Sequence, residues 1–487
     1  MLEIILNSFK EEVKKKLADL EQILYETLDF SIIEQELAEI LNKFSALILQ
    51  AMLNRLLSDP HFLAALKQMG GRMGMKYKEH RTIIVRLYNG QTIEVKTPYF
   101  IKAEPKGRRR KKKKKNKLAH LGLAVLGFIG RGSAWFVSEV VKMALLCPSY
   151  VVAKKVLAGR GMELDVKTVR RLCRELGIIG LAGRGQISLA GNEELQGYTL
   201  VIGIDGGRLR ERIAKEGPKK RGEKGPGYDG EWREPKLFTI YLMDAAGKVV
   251  KEFAPLHDAT MADKDGLFAL LEQYLVALDW PVVSRIVFCG DGAKWIWSGV
   301  ETLCQKVGFG HSLIYQVIDY THAKQNLREL IALVSDDPQQ QSSLYGQWKK
   351  LLWQGNIETL YQAVGQTVSA ERKKQALTKW KNYFDLNRKR MQYQHFKANG
   401  IACGSGCVES AIRRVINLRL KAAGTFWKRD MAEYFLFLRS QLISGRWSIF
   451  MQNASRRLVK LAITFLSNKK SPSSGSFLSF SKAACLV

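Results

Sequence analysis

Two short apolar runs, Thr199-Leu-Val-Ile-Gly-Ile204 and Arg285-Ile-Val-Phe-Cys289, each give way to an aspartate followed by glycine: Asp205-Gly206 and, one residue later, Asp291-Gly292. A continuous apolar run of this length bounded by turn signals reads as a strand buried on both faces. Such strands need helices packed above and below them, which commits this part of the chain to an α/β architecture. The neighbouring segments agree. Leu237 to Met243 and Val249 to Phe253 flank Asp244-Ala-Ala-Gly247 and predict a hairpin. Asp265 to Leu278 is amphipathic, a tryptophan-bearing helix follows Asp291, and His311 to Ile318 supplies a fifth strand. The order describes a mixed sheet that opens with a β-hairpin meander.

Charge narrows the partner. The 487 residues carry 77 Lys+Arg against 46 Asp+Glu, a net +31. Removing the ten cations of Lys106 to Lys117 still leaves +21, so the excess is spread over the chain, as binding a polyanion over a long footprint requires. Hydrophobic residues make up 46%, enough for packed cores. Seven scattered cysteines suit a reducing compartment and no disulfide scaffold. Cys403 and Cys407 lack the second pair a zinc finger needs, and read as small residues around a tight turn. Met1 to Lys16 mixes Glu and Lys through its apolar positions, so no secretory signal is expected, and Leu118 to Ile129 is too short to span a bilayer. We expect a soluble, cytoplasmic, nucleoid-associated protein with no membrane partner.

Before the sheet, residues 1–57 read as helices, with Ile32, Ile33, Leu37, Ile40, Leu41, Phe44, Ile48, Met52 and Leu56 at three- and four-residue steps. A helical pair folding onto its neighbour explains them, as would a dimerising surface. Asn89-Gly90 between two β-rich runs, Thr82 to Tyr88 and Gln91 to Lys96, predicts a hairpin. Residues 1–104 thus form an N-terminal helical and β-hairpin region, and 105–117 a basic linker that touches phosphates without reading sequence. In 118–190, Ser149 to Leu157 and Val166 to Leu176 predict two helices around Ala158-Gly-Arg-Gly161, the second capped by Asp165 and bearing Lys167, Arg170, Arg171 and Arg174. This fits a helix-turn-helix with a basic recognition helix, and equally an ordinary helical hairpin.

Asp205 and Asp291 sit where strands end, and there side chains project into a shared crevice. Two carboxylates in one crevice repel unless a cation neutralises them, so the pair points to oxygen ligands for Mg2+ or Mn2+. Asp-Gly is also plain turn chemistry, and for either residue alone the two readings weigh the same. A third acid, Glu409, lies in Gly404-Ser-Gly-Cys-Val-Glu-Ser410, where Ser405 is placed to cap a helix over 407–421. Arg413 offers it a surface ion pair at i+4. That helix also carries Arg414, Asn417, Arg419 and Lys421, more cation than one glutamate needs, which suits a metal ligand beside a DNA backbone. Its Val408, Ile412, Val415 and Ile416 are expected to face the sheet, with Arg413, Arg414 and Lys421 on or near the side of Glu409. Residues 323–400 show no strand and read as a helical insertion. The charged stretch from Arg208 to Lys236 reads as a solvated loop positioned to touch DNA.

Four stretches in order carry a resemblance: Ile204-Asp-Gly-Gly207, Gly290-Asp-Gly-Ala-Lys-Trp-Ile-Trp297, Asp319-Tyr-Thr-His322, and Gly404 to Ser410 with the following Arg413 to Lys421. Together they resemble the RNase H-like core of DDE transposases, most closely the bacterial insertion-sequence transposases of the Mutator-like superfamily. The resemblance covers about Tyr198 to Trp447. It implies a core split into 198–322 and 401–447 by the 323–400 insertion; the 118 residues between Asp291 and Glu409 accommodate that insertion. It also implies that Asp205, Asp291 and Glu409 are catalytic ligands of two divalent ions, Asp205 bridging, while Asp319 and His322 match the family's Cys/Asp-x-x-His signature in an auxiliary role. Residues 448–487 match nothing in the family and read as a mobile, low-complexity tail.

The function implied is transposition, with double-stranded DNA (element ends and target) as partner and a homo-oligomer assembled on it. Arg170, Arg171, Arg174, Arg413, Arg414 and Lys421 are the expected DNA contacts. A structure-selective nuclease on the same fold, which cuts without joining, is the enzymatic alternative. A non-catalytic DNA-binding regulator using the 149–176 helices is the other, and three acids at the ligand positions disfavour it.

Overall fold

The computed structural model describes residues 2–103, 118–184, 195, 197–217, 222, 227–278, 283, 285–309 and 313–455. The basic run at 105–117, the tail beyond residue 455 and part of the charged stretch after Asp205 lie outside the described residues. Two compact units form: Met1–Gly183 with Trp447–Val487, and Arg184–Arg446.

The first unit opens with helices Leu2–Thr27, Phe30–Leu57 and Pro60–Arg72, the last two capped by Asp29 and Asp59. The apolar stripe of the second helix divides. Ile40, Ala46, Ala51 and Leu57 are buried, whereas Leu37, Leu41, Met52 and Leu56 remain exposed. Strands β1 (Met75–Arg86) and β2 (Thr92–Lys102) pair antiparallel, and the short β3 (Leu118–Ala119) adds to β2. Only Gly90 takes a positive φ in the turn, closed by Leu87 N–H donating to Gln91 O at 2.9 Å. No other residue fits there, since a Cβ on Gly90 would fall 2.1 Å from the carbonyl oxygen of Gly161.

Gly161 belongs to the connection between the helices Tyr150–Ala158 and Val166–Ala182, which pack on each other and on Ala134–Leu146. Asp165 caps as expected, accepting from Thr168 N–H at 2.7 Å, and Ser149 caps the preceding helix by accepting from Val152 N–H at 3.1 Å. One boundary shifts. The expected tail at 448–487 does not open as a tail, because residues 447–455 are helical and bury Trp447, Phe450, Met451 and Ala454 at helical spacing. Trp447 Nε1 donates to Ser138 Oγ at 2.8 Å, which joins this segment to the first unit.

The second unit is mixed α/β. Its strands are β4 (Thr199–Gly206), β5 (Leu209–Ala214), β6 (Tyr228–Arg233), β7 (Lys236–Met243), β8 (Leu256–Thr260), β9 (Arg285–Gly290) and β10 (Leu313–Ile318). Five of them form one sheet in the order β8-β7-β4-β9-β10, with β4, β9 and β10 parallel and β7 antiparallel to both β4 and β8. Helices Lys264–Ala277 and Lys294–Val307 follow β8 and β9. From Tyr320 to Ala398 the chain is helical, beginning three residues before the expected insertion.

Two expectations are corrected. The partner of β7 is not Val249–Phe253 but β8, further along the chain. Val249 keeps a single bridge to Met243, and the paired strand contains His257 and Asp258, polar residues that periodicity reads as loop. They are buried because each has a partner: His257 Nδ1 meets Thr239 Oγ1 at 2.5 Å, and Asp258 binds Arg184. The stretch after Asp205, expected as a loop, contains the separate two-stranded sheet β5–β6. Among the described residues, no helix is long and apolar enough to cross a membrane.

Candidate functional site

The parallel register assembles the site. Ile204 pairs with Gly290, and Gly290 with Ile318, so the three residues form one row across adjacent strands. The residue that follows each along the chain is an aspartate: Asp205 near the end of β4, Asp291 just after β9 and Asp319 just after β10. Parallel strands lie about 4.8 Å apart, so the register brings three aspartates to one end of the sheet on neighbouring strands.

Glu409 comes to this row on the helix Gly406–Ala411. Small residues allow the approach: a Cβ on Gly203 would touch Val408 Cβ at 3.0 Å, and one on Gly207 would meet Ile416 at 2.5 Å. Val408, Ile412, Val415 and Ile416 are all buried, the face expected to meet the sheet. Ser405 does not cap this helix with its side chain. Its Oγ donates to Glu409 Oε1 at 2.9 Å and its N–H to Asp319 Oδ1 at 3.0 Å, so one serine ties the helix acid to the strand acid. Arg413 makes no ion pair with Glu409 among the described residues.

Asp319 is fully buried and accepts from Thr321 N–H, His322 N–H and Ser405 N–H, while His322 Nδ1 lies 2.7 Å from its Oδ2. Burial pushes the Asp319 carboxyl up, but these bonds outweigh it and hold its pKa below the ordinary value. The same bond raises His322 to about 9 against burial, with help from the charges of Asp319, Asp205 and Asp291. Asp205 is raised to about 6, first by burial and then by Asp291 and Glu409, with the Gly206 N–H and His322 opposing. All five side chains therefore share one electrostatic neighbourhood. Within it, Asp319, His322 and Glu409 each offer a ligand atom within 4.8 Å of the others. The close group among the described residues thus joins Glu409 to the two residues expected as auxiliary and includes neither Asp205 nor Asp291, which act on it through charge.

Immediately after Ala411 the helix widens to a π-helical segment, Ile412–Asn417, before its last turn Leu418–Leu420. A π segment frees carbonyls, and here buried Arg439 takes two of them: Nε donates to Val415 O at 2.7 Å and Nη2 to Arg414 O. Burial and the nearby Arg419 bring the Arg439 pKa down to about 10. Arg419, expected on the cationic face, is buried against Trp427 and Phe435. Arg413 and Lys421 are exposed, whereas the charge of Arg414 acts on His257 and Cys407. In the first unit, Arg170 and Arg174 are exposed, but Arg171 is engaged with Glu175 at 3.0 Å and Gly130 O at 3.2 Å, a tie that holds its own helix to a turn.

Cys403 Sγ donates to Tyr393 O at 3.7 Å and Ile401 O at 3.5 Å, in keeping with packing around a turn. Tyr383 and Ser405 were not legible as site residues. Tyr383 lies over the Asp-Gly turn, where a Cβ on Gly292 would fall 2.3 Å from its ring, and nothing in its local sequence signals this. Ser405 carried a signal, its four-residue step to Glu409, that suits a side-chain bond as well as a cap. No family model, no curated protein and no solved structure matches the chain.

Proposed function

We propose that this chain is a DNA transposase with an RNase H-like core, in which Asp205, Asp291 and Glu409 hold two divalent ions, Mg2+ or Mn2+, supported by Asp319 and His322. One observation carries the reading. Four carboxylates converge from three parallel strand ends and one helix, with a single imidazole as the facing cation. The donor set is mostly oxygen and suits hard cations. Ions bound there would activate a water or a 3′-hydroxyl and stabilise the leaving oxygen in line.

The chain's own residues prepare that site. Ser405 fixes the rotamer of Glu409, three backbone N–H groups fix Asp319, and Asp319 in turn orients the ring of His322. The RNase H-like assignment is supported by topology: an antiparallel meander, β4-β7-β8, with two parallel strands added on the other side of β4. A net charge of +31 and the exposed Arg170, Arg174, Arg413 and Lys421 support double-stranded DNA as the substrate. The exposed Leu37, Leu41, Met52 and Leu56 support a homo-oligomer.

The test is cleavage and strand transfer on labelled DNA carrying the ends of the element. Asp205→Asn, Asp291→Asn and Glu409→Gln should each lower metal-dependent cleavage by about a thousandfold while DNA binding survives, since ligand charge is lost with little change of volume. Near-normal cleavage by any one variant removes that residue from the ligand set. Cutting without joining by the unaltered protein would favour the nuclease.

A further inference from the structure

The hairpin β5–β6 begins three residues after Asp205's neighbour Gly206, and its two faces differ in kind. Its register pairs Leu209 with Arg233, Arg210 with Trp232, Glu211 with Glu231, Arg212 with Gly230 and Ala214 with Tyr228. Directly opposed residues share a face. On one face, buried Glu211 accepts from Arg233 Nε at 2.9 Å and lies 3.5 Å from Arg429 Nη1, and Arg233 also meets Glu231 at 2.6 Å. That face neutralises its own charges.

The other face holds Arg210, Arg212, Tyr228 and Trp232, joined by Phe426, whose ring lies over Gly230 where a Cβ would fall 2.3 Å away. The Arg210 guanidinium is 4.8 Å from the Trp232 ring centre and 5.4 Å from that of Phe426. Phe426 meets Tyr228 edge-on at 5.4 Å, and Arg212 stacks on Tyr228 at 3.9 Å. The result is a continuous strip alternating rings and guanidiniums. Neither Arg210 nor Arg212 has a carboxylate partner among the described residues. Trp232 is 53% exposed and Tyr228 38%.

A strip that existed only to fold the hairpin would be covered, and this one is not. It is nonetheless held firmly. Arg212 N–H donates to Trp427 O at 2.7 Å and Trp427 N–H to Arg210 O at 2.9 Å, so β5 is pinned on the edge opposite β6. It also grows from the end of the sheet that carries the carboxylates, with Gly207 packed against Ile416 of the Glu409 helix. Rings flanked by guanidiniums that have no carboxylate partner among the described residues fit a ligand with flat π faces on an anionic backbone. In a duplex those faces are covered by neighbouring base pairs; in a single strand they are open.

We propose that the Arg210–Trp232 face of this hairpin seats unpaired nucleobases of a DNA strand, by stacking, beside the carboxylate site. The inference rests on the reading of DNA as substrate. Stacking and the guanidiniums would hold a frayed or cut end in place while the phosphate next to it reacts.

The test uses the full chain and fluorescence anisotropy with three probes: a blunt duplex, the same duplex with an unpaired thymidine extension, and the same duplex with an unpaired RNA extension. Unaltered protein should bind the thymidine-extended probe about tenfold more tightly than the blunt one, from stacking of one or two bases. Trp232→Ala should abolish that ratio and leave blunt-duplex affinity within about twofold, while Trp232→Phe should retain most of it. Circular dichroism checks that each variant is folded. No preference in the unaltered protein, equal losses on the blunt and thymidine-extended probes, or a preference for the RNA extension over the DNA one would overturn the assignment. Cleavage, measured separately, distinguishes the two readings: a protein that cuts duplex ends yet shows no preference loses only the hairpin's role. One that prefers the extension yet never cuts loses the transposase reading and keeps the hairpin's.

Discussion

Asp258 and Asp319 are both fully buried carboxylates, one on each edge of the same five-stranded sheet, and their surroundings are opposite in kind. Asp258 accepts from Arg184 Nε at 2.9 Å and Nη2 at 2.6 Å, and from the Tyr274 hydroxyl at 3.0 Å. Arg184 also binds Glu433 at 2.7 Å and the carbonyl of Ala259, so its donors are spent inside the protein. Burial works against the Arg184 charge, but Asp258 and Glu433 hold its pKa above the usual value. This cluster is closed. Asp319 has Asp205, Asp291 and Glu409 as neighbours and one histidine to face them all. Its deficit of positive charge is what a bound cation would supply. The two buried aspartates are therefore not alike: Asp258 is matched by its own arginine, whereas Asp319 lies among partly buried and exposed acids that share one histidine, the feature on which the proposed metal site rests.

The comparison can be broken most easily at the closed end. Arg184→Met leaves buried Asp258 and half-buried Glu433 without their cation and should cost about 3–5 kcal/mol of stability, read from denaturant midpoints. A variant as stable as the parent would mean that Asp258 needs no such partner, and the contrast would collapse.

A smaller effect sharpens the open end. Asp205, raised to about 6 chiefly by burial, has a folded pKa above its unfolded value of about 3.9, so it favours the protonated folded state, and stability falls as pH rises between the two. His322, raised to about 9 by Asp319, contributes stability that is full below about pH 6.5 and is lost as pH rises through its folded pKa. The loss of the His322 contribution should lower the melting temperature in chelator between about pH 6.5 and about pH 9, whereas below that range His120 and His257, both lowered to about 4 chiefly by burial, gain stability as pH rises and oppose Asp205. Manganese should recover about 2–4 °C near pH 7.5 and little near pH 5. Asp205→Asn should remove much of the manganese shift. An equal manganese shift at both pH values would show that the cation binds elsewhere.

The smallest effect concerns the arginines that follow Glu409. Arg413→Ala with Arg414→Ala should lower strand transfer on pre-cleaved ends by about tenfold while total DNA affinity changes by about twofold, because positioning a reacting phosphate is more demanding than attracting it. Equal losses would reduce both residues to general electrostatics. A changed circular dichroism spectrum would assign them to the π segment, where Arg414 O is held by Arg439.

The strands and their terminal acids were readable because burial on both faces writes a continuous apolar run, and a strand that stops at a crevice tends to stop at a polar residue. β9 and the end of β4 were found this way. β8 escaped because its two central polar residues, His257 and Asp258, are satisfied by partners far away in sequence, and no local pattern encodes a distant hydrogen bond. The β5–β6 hairpin escaped for the opposite reason: every residue of β6 is exposed, so it carries no alternation to detect.

By itself the sequence determined which segments alternate between strand and helix and where the apolar face of the Glu409 helix lies. Those properties follow from periodicity and from residues next to one another in the chain. Tertiary structure alone decided that Asp319 lies in the same row as the other two aspartates, that Ser405 joins it to Glu409, that the helix passes through a π segment held by Arg439, and that Arg171 and Arg419 are tied into the protein while Arg210 and Arg212 are left open. Each of these depends on register between strands or on packing between residues remote in sequence. Hydrogen-bond register is set by the whole sheet, and no single segment carries it.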